Sequence, residues 1–165
     1  YLFSHNAQIG ILAFALGIAA GLPVFLLMFM NGLILGAFLG LYQARGLGVD
    51  LASWILPHGI TEILAVLLCG AAGLLLAEGV LFPGDRGRIA GLRTKGRQAG
   101  LIVIGAVGMF FLAAIIEGYF RQLVQSVPVR FLLALVTATF WLVYLCTVGR
   151  GADRGTRVRS WWKRS

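Results

Sequence analysis

Hydrophobic and polar positions along this chain do not alternate. They fall into long apolar runs divided by short polar breaks, the pattern of membrane-spanning helices rather than of an amphipathic soluble fold. From Ile9 to Tyr42 no residue is charged, and Asn31 is the one strongly polar side chain. As a single helix this run would be about 51 Å long against a hydrocarbon core of about 30 Å, so two spans are expected. Gly21-Leu22-Pro23 is the expected break, giving helices from roughly Asn6 to Gly21 and from Pro23 to Gln43, with Asn31-Gly32 as the second choice.

Arg45 to Leu56 is short and mixed, and is expected to form a loop and a brief interfacial helix anchored by Trp54. Pro57 then suits the first turn of a third span, His58 to Phe82, because its missing N–H would have no partner there. Pro83-Gly84 ends that span. A fourth is expected from about Gln98 to Phe120, a turn with Pro128 from Arg121 to Val129, and a fifth span from Val129 to Val148. The fold class is therefore all-α: a polytopic membrane protein of about five transmembrane helices over residues 1–148, followed by a basic cytoplasmic tail, 149–165.

Composition agrees with this reading. The chain is 59% hydrophobic and 12% charged, with a mean hydropathy of +0.91, far from a soluble domain in which about a quarter of residues are charged. A formal charge of +8 would suggest nucleic acid in a soluble protein, yet eleven of the fourteen basic residues lie in Asp85–Gln98 and Gly149–Ser165. Arg86, Arg88, Arg93, Lys95 and Arg97 then mark a cytoplasmic loop, and Arg150, Arg154, Arg157 and Arg159 a cytoplasmic tail resting on anionic headgroups. No nucleic-acid partner is expected. Five spans put the amino end outside and the carboxyl end in the cytoplasm. Tyr1 is neither an initiator methionine nor part of a charged leader, so further sequence upstream is expected.

Gly32, Gly36 and Gly40 recur every fourth residue, as do Gly17 and Gly21, spacing that lets helix backbones approach closely in lipid. Packing within the chain and a homodimer interface both fit. Cys69 and Cys146 lie in apolar runs and are expected as buried thiols, without a disulfide.

Candidate chemistry is confined to a few polar groups at membrane depth. His58 and Glu62 are four residues apart, hence on one helical face, at the entrance of an apolar run. If the third span descends toward the basic loop and the fourth ascends from it, Glu117 returns to the same outer level. Asn6 lies at that boundary, Asn31 falls nearer mid-membrane, and Tyr119 is a neighbour in sequence. A buried polar cluster of His58, Glu62, Glu117, Asn31 and Asn6 is thus expected, since ionisable groups at membrane depth face a protein interior or a wet cavity. Three roles stay open: a structural network holding helices in register, a proton or ion relay, or a metal site of His58, Glu62 and Glu117. The metal reading is weak without a second histidine or a cysteine ligand, and no metal or other cofactor is expected. No nucleophile elbow, zinc-protease signature, phosphate loop or Cys-x-x-Cys is present.

The segments H-N-A-Q-I-G-I-L-A-F-A-L-G-I, F-M-N-G-L-I-L-G-A-F-L-G, W-I-L-P-H-G-I-T-E, P-G-D-R and A-A-I-I-E-G-Y, taken in order, resemble the stage II sporulation protein M family over roughly Phe3 to Val148. The resemblance implies a multi-span inner-membrane protein that serves as an anchor or scaffold beside peptidoglycan-cutting partners. In non-sporulating bacteria it implies neighbours such as MoxR-type ATPases and von Willebrand factor A proteins. Carried over by position, the family's polar motif falls on Asn6, Asn31, His58, Glu62 and Glu117. The function expected is a non-enzymatic scaffold or anchor in a cell-envelope complex, with an ion- or proton-coupled transporter as the alternative.

Overall fold

The computed structural model describes residues 2–83 and 87–161, with side chains described for 5–83, 87–120 and 122–148. Five helices make up the architecture: α1 (Leu2–Leu16), α2 (Leu22–Ala44), α3 (Gly48–Leu81), α4 (Arg88–Ile115) and α5 (Val127–Trp161). No strand occurs among the described residues. Four helices are long and apolar enough to cross a membrane, while the apolar segment His5–Ala19 is shorter. The chain is an all-α, multi-pass membrane protein.

The break between α1 and α2 falls where glycine and proline predicted it. A 3-10 turn, Gly17–Ala19, leads into Ala20 and Gly21, both in the left-handed region at φ 61° and 81°, and Pro23 then enters the first turn of α2, where its lost N–H costs nothing. Asn31-Gly32 lies inside the continuous α2.

Elsewhere helices run further than the sequence suggested. No separate interfacial helix precedes the third span: α3 starts at Gly48 and passes through Pro57. Proline there removes the bond to the Ser53 carbonyl, but packing holds the helix together, and Ser53 Oγ bonds the Asp50 carbonyl at 2.8 Å. The basic segment likewise is helix for the most part: Arg88, Arg93, Lys95 and Arg97 all lie on α4, and Arg86 lies outside the described residues. Helix α5 continues beyond Val148 to Trp161, with the side chains of Arg150, Arg154, Arg157 and Arg159 outside those described.

Helix α3 is the central column. Half of its most apolar window is buried, against 6% for α2 and for α5. It packs through small side chains and sulfur: Ala65 and Cys69 meet Ala106, Met109 and Phe110 of α4 in one layer, and Ala72 and Leu76 meet Ala99 in the next. Gly17 and Gly73 lie backbone to backbone, so a Cβ on either would collide with main chain, Gly73 against the Ala13 carbonyl. A second such pair, Gly79 and Gly91, joins α3 to α4, where a Cβ on Gly91 would stand 2.7 Å from the Gly79 oxygen. Gly21 packs on Ala77. At Gly32, Gly36 and Gly40, by contrast, an added Cβ would meet nothing within 4 Å, so none of them marks a close approach of helices among the described residues. Cys69 is buried as expected, whereas Cys146 is exposed on α5.

At the basic end Lys95 Nζ lies 2.7 Å from Glu78 Oε1, so Glu78 is paired with a lysine of the next helix. Exposed ion pairs of this kind contribute about 0–1 kcal/mol.

Gly73→Val is expected to lower stability by about 1–3 kcal/mol, as overpacking does, whereas Gly36→Ala should stay within about 0.5 kcal/mol. Thermal unfolding of the two variants in detergent checks the contrast; equal losses would contradict the packing described.

Candidate functional site

Counting down α3 from the Glu78–Lys95 pair places the polar residues. His58 is twenty positions from Glu78, about 30 Å at 1.5 Å per residue, which is the thickness of a hydrocarbon core. Glu62 lies one turn closer to the middle. Both belong to the buried face of α3, at 6% and 5% exposure.

Glu62 is fastened across the helix interface. Asn6 Nδ2 of α1 donates to its Oε2 at 2.7 Å. Its other oxygen, Oε1, is buried without a hydrogen-bond partner. One turn of α3 also makes a second tie, in which Trp141 Nε1 of α5 donates to the fully buried Thr61 Oγ1 at 3.0 Å. Two consecutive residues of the central helix therefore hold α1 on one side and α5 on the other. Interhelical bonds of this type in membranes average about 0.6 kcal/mol each.

Glu117 sits in a single π-helical turn, Ile116–Phe120, that ends α4. Wide turns of this kind re-aim side chains and occur often at functional positions. The carboxylate is half-buried and close enough to Glu62 for their charges to interact. His58, Glu117 and Trp54 are each engaged by neighbours. Tyr119 is 70% exposed. Asn31 donates to its own helix, to the Leu27 carbonyl at 3.1 Å, so it shares a cavity with the other polar groups without bonding to them. Among the described residues no group of three or more His, Cys, Asp or Glu is arranged to hold a metal.

Sequence reasoning overlooked Arg130, which is 8% exposed. Its Nε donates to the Val124 carbonyl at 2.8 Å and its Nη2 to Gln125 Oε1 at 3.3 Å, so the guanidinium holds the link between α4 and α5 in place. A small cavity lined by Ser53, Trp54, Pro57, His58, Ile116, Phe120 and Arg130 brings it to the level of His58. The signal was present in the sequence: Arg130 is the one charged residue between Gln122 and Val148, and an ionisable group in such a window is a site candidate by default.

A large open groove adjoins these groups. Helix α2 touches α3 through Gly21 on Ala77 and Met28 on Gly70, and Gln43 meets Gly48 at the connecting loop. Between these contacts lies a cavity of about 1160 Å³, which Asn6, Asn31, His58, Glu62 and Arg130 line together with apolar side chains of α2 and α3. The region is thus polar in its floor and at one end and apolar in its walls.

The stage II sporulation protein M family model matches residues 1–121. That match takes in α1 to α4 and the π turn, stopping before α5, a shorter extent than the Phe3 to Val148 resemblance. Comparisons with curated proteins and with solved structures give no match.

Asn6→Ala should cost about 1–3 kcal/mol by leaving both carboxylate oxygens of Glu62 without partners. A double-mutant cycle of Thr61→Val with Trp141→Phe should give a coupling of about 0.6 kcal/mol. Unfolding in detergent measures both, and zero coupling would remove the α3–α5 tie.

Proposed function

The chain belongs to the stage II sporulation protein M family, and on that premise we propose that it is a non-enzymatic integral subunit that anchors partners of a cell-envelope complex in the bacterial inner membrane, beside wall hydrolases or an ATPase of MoxR type. The observation that carries this reading is the bracing of α3: Glu62 is tied to Asn6 and Thr61 to Trp141, within a column closed by glycine contacts. Such a frame suits a part whose task is to hold geometry. Helices α2 and α5, with 6% of their most apolar windows buried, leave broad apolar faces for lipid or for partner helices, and the glycines of α2 suit a homodimer. In this reading the Glu78–Lys95 end faces the cytoplasm, the His58 end lies at the outer leaflet, and the basic tail rests on anionic lipid.

A second reading, an ion- or proton-coupled transporter, is favoured by one specific feature: Glu62, a buried carboxyl, lines a cavity of about 1160 Å³.

Affinity isolation from native membranes followed by mass spectrometry is expected to recover wall hydrolases or an ATPase with the wild-type chain, and several-fold less of them with His58→Ala at equal protein level. Proteoliposomes carrying the protein are expected to show no proton or cation flux; a flux abolished by Glu62→Gln would replace the anchor with the transporter.

A further inference from the structure

The groove between α2 and α3 has polar groups at three heights. Deepest is Glu62, nine-tenths buried, whose Oε1 has no partner in the protein. About one turn higher, at the level of His58, is the buried guanidinium of Arg130, whose contacts with Val124 and Gln125 use two of its N–H groups and leave a strong anion donor at the groove wall. Highest is the exposed carboxylate of Asp50, eight residues or about 12 Å above His58 along α3. The walls are apolar, formed by Ile34, Leu35 and Phe38 on one side and Ile63 and Val66 on the other.

We propose that this groove binds one ethanolamine glycerophospholipid as a fixed component of the protein. From the surface inward such a lipid presents an ammonium, a phosphate diester, a glycerol ester and two hydrocarbon chains, and the groove presents Asp50, Arg130, Glu62 and an apolar channel in the same order. Asp50 accepts from the ammonium and Arg130 donates to the phosphate, while Glu62, held by its bond from Asn6, closes the lower end of the polar section at the level of the glycerol ester. The acyl chains lie along α2 and pass into the bilayer beside it. Charge complementarity selects this lipid over an anionic one: a phosphoglycerol head has no ammonium for Asp50 and brings its negative charge close to that carboxylate. His58 lines the groove at the level of Arg130 as well. The assignment is independent of whether the protein anchors partners or transports ions.

The full-length protein, reconstituted in bilayer discs of equimolar dioleoyl phosphatidylethanolamine and dioleoyl phosphatidylglycerol and then released into detergent, is examined by native mass spectrometry. Wild type is expected to retain one phospholipid, with ethanolamine lipid enriched about threefold over the mixture, the scale of one interfacial charge pair. Asp50→Asn, at an exposed position, should return the ratio to that of the mixture while retaining the lipid. Arg130→Gln should lower retention about tenfold. Ile34→Trp, which fills the channel from an exposed position on α2, should do the same and serves where Arg130→Gln does not fold. Annular lipid only, meaning loss of all phospholipid at release, would overturn the proposal, as would retention without headgroup preference or retention unchanged by Ile34→Trp.

Discussion

Close approach of backbones along α3 is the constraint on which the rest depends. In lipid there is no hydrophobic drive to bring helices together, so association rests on packing and on interhelical hydrogen bonds. Here glycine and alanine provide the first: Gly73 receives Gly17 and Ala13, Gly79 receives Gly91, and Ala65 and Ala72 admit the side chains of α4. Only because α1 and α4 sit so near can short polar side chains reach across. Asn6 has a two-atom reach beyond its Cβ and still meets Glu62 at 2.7 Å. The polar cluster is a product of the glycine seam, in the sense that larger residues at the seam would move Asn6 out of range.

Much of this was legible in the sequence, for identifiable reasons. Spans follow from apolar length and need no tertiary information, and the α1–α2 break was readable because Gly21 and Pro23 impose local backbone limits that packing does not override. His58, Glu62 and Glu117 were noticeable because ionisable side chains are rare at membrane depth. Other features depended on neighbours. Pro57 suggests a helix start when read locally, yet α3 passes through it because surrounding helices hold the turn. The glycines of α2 and those around Gly17 carry the same spacing, and nothing in that spacing says which set meets a partner inside the chain. Arg130 was overlooked at the edge of a turn, although its isolation in an apolar window marks it. The π turn at Ile116–Phe120 has no sequence signature, since its extra residue is accommodated by packing and not by composition.

Glu62 shows how a frame and a site can share one residue. One oxygen serves the tie to α1, the other is buried without a partner in the protein, and the residue lines the groove. A buried polar atom left without a partner carries a desolvation cost of about 1–3 kcal/mol, which a purely structural network would have little reason to keep.

The widened turn that ends α4 bears on how this part of the chain can change over evolutionary time. A helix advances by about 100° for each residue, so losing one residue from the regular part of α4 would turn everything beyond it by that angle and carry Trp141 away from Thr61. The wide turn holds one residue more than ordinary α geometry needs, so losing a single residue between Ile116 and Phe120 closes it to α form while the link at Arg121–Leu123 keeps its direction. Lineages can therefore change length by one residue at that turn with the seating of the last helix preserved, a tolerance that the straight helices lack.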